Sequence, residues 1–145
     1  TALFSTLRRW VRMDDCVFCR IVRGEIPCWK VLETEHALAF LDLEPVMEYH
    51  TLVIPKAHHP DLFSVPEEVL CQTGAAIKQV ARLYQDKLGI DNMHLFNNSG
   101  RLARQTVFHL HFHIVPVRAG RPLLGFEKHP EMVHHYPEML RALAL

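Results

Sequence analysis

Phe108-His109-Leu110-His111-Phe112-His113-Ile114-Val115 alternates apolar side chains with imidazoles over its whole length. Side chains on a strand point to opposite faces in turn. The pattern therefore predicts a strand with Phe108, Leu110, Phe112 and Ile114 on one face and His109, His111 and His113 on the other. A one-residue slip would exchange the two sets, so core packing fixes the register. A merely solvated face is served equally well by Thr, Lys or Glu, whereas three imidazoles in alternation mark a face that does chemistry. One metal ion does not account for all three. Same-face residues lie about 6.6–6.8 Å apart, which separates His109 from His113 by roughly 13 Å, and zinc holds nitrogens at about 2.0–2.1 Å. A metal takes one or two of them, and at least one is left for something else.

The flanking sequence supplies the rest of a sheet. Met93 to Phe96 reads as the preceding strand, joined to the histidine segment by a polar loop that opens at Asn97-Asn98-Ser99-Gly100 and runs to Thr106. Trp29 to Glu33 and Ala37 to Leu43 read as two strands around the turn Glu33-Thr34-Glu35-His36, and Thr51 to Pro55 as a buried strand. Ser64-Val65-Pro66-Glu67 matches a capping box. Beyond it Leu70, Ile77, Val80, Ala81, Tyr84 and Leu88 form one helical face, and Gly89 sits where a left-handed residue ends a helix. Pro137 to Leu145 fits a shorter helix. Short strands with one long helix define an α+β domain with an antiparallel five-stranded sheet and a short C-terminal helix.

The chain has 145 residues, 49% of them hydrophobic and 22% charged, which is a globular composition with enough length for a real core. Sixteen basic residues balance sixteen acidic ones. That balance argues against a nucleic-acid partner, whose phosphates demand a basic excess. No apolar run approaches the roughly 20 residues that span a bilayer, so no membrane partner is expected. Residues 1–13 stand apart as a leader or appended segment. Leu3, Phe4, Leu7, Trp10 and Val11 recur at helical spacing among Arg8, Arg9 and Arg12, as in a short amphipathic helix, and residues 14–145 form the domain.

Four cysteines (Cys16, Cys19, Cys28 and Cys71) are too few and too unevenly placed for a disulfide scaffold, and a reducing cytoplasm is the expected compartment. Cys16-Val17-Phe18-Cys19 is a Cys-x-x-Cys motif, which is redox-active or metal-binding. The thioredoxin-like setting, a parallel βαβ unit, is not found. With eleven histidines in the chain, a Cys2His2 zinc site is favoured, and a closed four-ligand site of that kind is structural.

His109-Leu110-His111-Phe112-His113-Ile114-Val115 resembles the signature of the histidine triad (HIT) family, and the resemblance extends over nearly all of residues 14–116. Cys16-Val17-Phe18-Cys19-Arg20-Ile21 with Gly24-Glu25-Ile26-Pro27 is similar to the opening of its bacterial Hint-like members. So are Ala39-Phe40-Leu41-Asp42, His50-Thr51-Leu52-Val53-Ile54-Pro55-Lys56 with His58, and Gln105-Thr106-Val107-Phe108. The resemblance implies a homodimer whose two sheets join into one, and nucleotidyl transfer from substrates that join a nucleoside monophosphate to an amine or to further phosphate.

Carried over residue by residue, it implies His111 as the nucleophile, forming a covalent nucleotidyl-histidine that water hydrolyses. It places His113, Gln105 and Thr106 on the phosphate, Asp42 on the ribose, Phe18 and Leu43 along the base, and Asn98 near phosphate and ribose. It assigns a structural zinc ion to Cys16, Cys19, His58 and His109, and makes His50 a partner of the triad. The activity implied is a purine nucleoside phosphoramidase. The alternatives are a dinucleoside polyphosphate (diadenosine tetraphosphate) hydrolase, a nucleotide-binding adaptor with vestigial catalysis, and a zinc-dependent hydrolase. One departure concerns the position before Gln105. Members often carry glycine there, where backbone approaches ligand, and this chain has Arg104, whose guanidinium suits a phosphate-bearing leaving group.

Overall fold

A computed structural model of the chain describes residues 15–120, 125 and 127–144. The basic amphipathic segment at residues 1–13 lies outside the described residues. In chain order the elements are α1 (Val17–Val22), β1 (Lys30–Glu33), β2 (Ala37–Leu41), β3 (Thr51–Pro55), α2 (Glu67–Leu88), β4 (Met93–Phe96), β5 (Phe112–Pro116) and α3 (Tyr136–Ala142). Short 3-10 turns occupy Arg101–Ala103 and Pro130–His135. The strands make one antiparallel sheet in the order β1-β2-β3-β5-β4, so the α+β architecture read from the sequence is the one observed.

The central strands feed two cores because both faces of the sheet are covered. Ala37, Ala39, Val53 and Ile114 pack with Ala76, Val80 and Tyr84 of α2. Leu38, Phe40, Leu52 and Ile54 pack on the other face with Cys16, Phe18 and Cys19 of the α1 segment. A strand buried on both sides reads as a continuous apolar run, which is how Thr51 to Pro55 appears. At the end of α2, Gly89 takes φ +66°, and its N–H and that of Ile90 bond the carbonyls of Gln85 and Tyr84. That is the left-handed helix end the glycine requires.

Three details differ from the sequence expectation. Ser64 does not cap α2. Its hydroxyl and its amide both donate to Asp61 Oδ1 at 3.0 Å, and the helix starts at Glu67 with Pro66 as the flanking residue. A proline disfavours helical backbone in the residue before it, so Val65 cannot belong to the first turn. The helix α1 was not expected, being only six residues long. The third difference concerns β5, which begins at Phe112 rather than Phe108. Leu110 N–H donates to the carbonyl of His59 (2.7 Å), and the carbonyls of His109 and His111 accept bonds from side chains. The backbone of residues 108–111 is thereby drawn out of the sheet ladder. Of the three alternating histidines, only His113 lies on the strand.

Candidate active site and metal centre

The break in the strand sends the three histidines to different tasks. His109 is fully buried, and its Nε2–H donates to the carbonyl of Pro55 at 2.7 Å. In the neutral ring this leaves Nδ1 as a lone pair. That nitrogen lies 3.5 Å from Cys16 Sγ, 3.5 Å from Cys19 Sγ and 3.2 Å from His58 Nδ1, and Cys19 Sγ lies 3.2 Å from His58 Nδ1. All four candidate atoms fall within 4.8 Å of one another. A tetrahedron with zinc–sulfur bonds near 2.3 Å and zinc–nitrogen bonds near 2.0–2.1 Å has edges of about 3.3–3.8 Å, so the separations suit zinc. The acid–base state of the two histidines suits it as well. Burial holds His109 down to about 4 and lowers His58, so both rings are neutral. Burial, with Cys16 beside it, pushes the Cys19 thiol up to about 11. That shift opposes the thiolate a metal requires, so zinc would have to displace the proton as it binds. The helix α1 serves this cluster: Cys16 caps it, its Sγ accepting from Cys19 N–H at 3.4 Å, which brings the two sulfurs to one point.

His111 is the next ring. Its Nδ1–H donates to the carbonyl of His109 at 2.7 Å, leaving Nε2 as the lone pair. The ring is 8% exposed, with Phe18 packed edge-on at 5.2 Å between centroids, and Asn97 Nδ2 donates to the His111 carbonyl at 2.9 Å. Burial lowers its pKa, which favours the neutral ring. One residue thus serves both centres: the side chain of His109 faces the cysteines, while its carbonyl orients His111.

His113 stacks on Phe96 (4.5 Å between centroids, 11° between planes). Its Nδ1 lies 2.9 Å from Nε2 of the buried His50, which also lies 3.4 Å from Asp42 Oδ2. Val46 N–H donates to His50 Nδ1 (3.1 Å), so the proton of neutral His50 is on Nε2, and His113 accepts it at Nδ1. Neutral His113 then carries its own proton on Nε2. Burial, with His111 and His50 nearby, holds His113 down to about 4. Asp42, His50 and His113 are close enough together to hold a metal. The proton on His50 Nε2 occupies the position a metal would need, and the Val46 amide keeps it there. His50 and His113 are thus a hydrogen-bonded pair with the Asp42 carboxylate beside them, in contrast to the Cys16–Cys19–His58–His109 group.

The remaining expected residues fall as follows. Phe18 is buried against His111, Asn98 is half-buried after β4, Thr106 is exposed, and Leu43 is 81% exposed beyond the end of β2. The side chain of Gln105 is committed to the protein itself. Its Nε2 donates to the carbonyls of Pro60 and Val107, and its Oε1 accepts from Gly100 N–H. It therefore shapes the loop and has no proton left for a phosphate. Arg104 sits in the left-handed region at φ +67°. That left-handed backbone is by itself a reason for glycine at this position. Sequence reasoning missed Asn97, Phe96, the Val46 amide and the Pro55 carbonyl. Backbone groups leave no signature in a sequence.

A paired set of buried imidazoles, one with a free Nε2 beside a Cys2His2 cluster on a five-stranded antiparallel sheet, defines a class of histidine-based protein. The HIT domain family matches residues 23–120. An uncharacterized HIT-like protein of Methanocaldococcus jannaschii is 46% identical over 105 residues, covering 72% of this chain and 81% of that one. An adenosine 5'-monophosphoramidase of Saccharomyces cerevisiae is 39% identical over 103 residues, covering 71% and 63%. Among solved structures, a HIT family protein from Bacillus anthracis aligns with TM-score 0.79 at 35% identity, covering 90% and 96%. A zinc-bound histidine triad family protein from Mycobacterium smegmatis aligns with TM-score 0.73 at 38% identity, covering 92% and 96%. The chain belongs to the histidine triad family.

Proposed function

We propose that this protein is a hydrolase that cleaves a nucleoside monophosphate from an amine leaving group, through a nucleotidyl intermediate on His111. The observation that carries the reading is the 2.7 Å bond from His111 Nδ1 to the His109 carbonyl, which leaves Nε2 as a held, neutral nucleophile. In the first step His111 Nε2 forms a bond to the α-phosphorus and the phosphorus–nitrogen bond breaks, the amine taking a proton from solvent as it leaves. In the second step water attacks phosphorus and returns a proton to solvent, the histidine–phosphorus bond breaks, and Nε2 recovers its lone pair as the monophosphate departs. His113, protonated on Nε2, and Thr106 donate to phosphate oxygens. Asp42 accepts from the ribose hydroxyls, Phe18 and Leu43 line the base, and Asn98 lies near the sugar and phosphate. The yeast relative named a monophosphoramidase supports the amine leaving group and adenosine.

Zinc on Cys16, Cys19, His58 and His109 would be structural. It would fix the His109 carbonyl that orients His111, and the reaction itself would not pass through the metal. The zinc-bound mycobacterial relative supports that metal. A homodimer joined through a sheet edge is part of the same reading, supported by the edge position of β4 and the half-exposed Leu95 on it. No helix among the described residues is long and apolar enough to cross a membrane.

A polyphosphate leaving group is the second reading. It is favoured by Arg101 and Arg104, exposed on the turn that leads into Thr106. The test is a mass spectrum of protein quenched during turnover of adenosine 5'-phosphoramidate. An adenylyl adduct on His111 is expected, and turnover without any adduct under rapid quench would overturn the covalent route.

A further inference from the structure

Asp42 and His113 both lie against the one N–H of His50. That N–H is hydrogen-bonded to His113 Nδ1 at 2.9 Å, and the Asp42 Oδ2 carboxylate oxygen lies beside it at 3.4 Å. The proton cannot shift to the other ring nitrogen, because Nδ1 accepts from Val46 N–H. His50 is 4% exposed, so both of its ring nitrogens meet protein groups away from bulk solvent. The second carboxylate oxygen of Asp42 accepts from Glu44 N–H at 2.9 Å, which fixes the carboxylate against the same turn. The Phe96 ring stacks on the face of His113 and holds its plane.

We infer that His50 is a positioning residue that couples occupation of Asp42 by ribose hydroxyls to the readiness of His113 at the phosphate. This rests on the proposed reading of the site, in which Asp42 binds the ribose. Without a nucleoside, the Asp42 carboxylate at 3.4 Å pulls electrostatically on the His50 N–H. Hydroxyls that donate to Asp42 satisfy its lone pairs and weaken that pull. The His50 N–H is then given wholly to His113 Nδ1, which holds the His113 proton on Nε2 and fixes the ring for a phosphate oxygen. Ribose recognition is thereby expressed in the chemical step as well as in binding, and the protein selects ribonucleotides in part through kcat.

The experiment compares adenosine 5'-phosphoramidate with its 2',3'-dideoxy counterpart in the wild-type protein and in His50→Asn and His50→Gln. Asn keeps an acceptor for Val46 N–H and lacks the donor to His113, whereas Gln keeps a donor near the Nε2 position. In the wild type, losing the ribose hydroxyls is expected to raise KM and also to lower kcat by about tenfold, the scale of one hydrogen bond. In His50→Asn, kcat on the ribose substrate is expected to fall by a similar factor. The dideoxy substrate should then cost nothing further in kcat while still raising KM. Gln should restore part of kcat. A ribose effect confined to KM in the wild type, or an undiminished kcat effect in His50→Asn, would overturn the coupling.

Ring-nitrogen NMR of histidine-labelled protein separates this from the reaction itself. Adenosine monophosphate is expected to shift the His50 and His113 signals, and dideoxyadenosine monophosphate to leave them near their ligand-free positions. Shifts with both nucleotides, or with neither while both bind, refute the coupling even if no phosphoramidate is turned over. Failure of adenosine monophosphate to bind refutes the reading of the site along with it.

Discussion

His109 donates its Nε2 proton to the carbonyl of Pro55, and with that one bond β3 sets which nitrogen of a buried ring faces two cysteines. The same carbonyl-directed logic repeats one step along, where the His109 carbonyl sets the free nitrogen of His111. The candidate metal site and the proposed nucleophile are therefore ordered in series along three residues of backbone.

Purified protein is expected to carry about one zinc ion per chain, by elemental analysis. Cys16→Ser should lose it and melt several degrees lower, because a structural zinc site adds its binding free energy to folding. A chelator should act slowly, through the fold, and leave the first turnovers of adenosine 5'-phosphoramidate intact. Immediate arrest of turnover would instead put the metal in the chemistry.

Removing the proposed nucleophile separates binding from bond-making. His111→Ala should abolish turnover and leave adenosine monophosphate binding within about tenfold of the wild type by calorimetry, since the ring supplies a bond and little of the ligand's buried surface. Near-normal turnover in this variant would exclude His111.

Arg104 holds φ +67° at the end of the Arg101–Ala103 turn, a conformation that costs a non-glycine residue roughly 1 kcal/mol. Arg104→Gly is expected to raise Tm by roughly 2–4 °C per kcal/mol of strain relieved. The same variant reads the leaving group. If the guanidinium contacts phosphate, kcat/KM for diadenosine tetraphosphate should fall about ten- to hundredfold while the phosphoramidate changes little. A rise in Tm with equal kinetics on both substrates would assign Arg104 to the backbone alone.

Stability should fall on the acid side of neutrality. An unfolded histidine titrates near 6.5, whereas burial, with His111 and His50 nearby, holds His113 at about 4 and Asp42 offsets only part of this. Between those values the unfolded chain takes a proton that the folded site refuses. The contribution is therefore complete above about 6.5 and is lost as pH falls toward 4. Urea midpoints at pH 7, 6 and 5 should decline more steeply for the wild type than for His113→Asn. Parallel declines would place the sensitivity elsewhere.

The sequence by itself determined the elements whose patterns are local. The helical face ending at Gly89, the continuous apolar run of β3 and the four residues of β4 are legible because each periodicity reflects burial of that segment alone. The histidine segment alternates just as clearly, yet only its second half is strand. Alternation predicts two faces but says nothing about which backbone groups find a ladder partner. At residues 109–111 those groups bond instead with His59, His111 and Asn97, which come from other parts of the chain or from a side chain. The candidate ligand set Cys16, Cys19, His58 and His109 spans more than ninety positions, and proximity at that separation is a product of packing. Tautomers were decided at the same level. Whether a histidine offers a lone pair or a proton depends on the group its other nitrogen meets, here the carbonyls of Pro55 and His109 and the amide of Val46. Backbone groups are the same in every residue, so only the tertiary structure can say where they point.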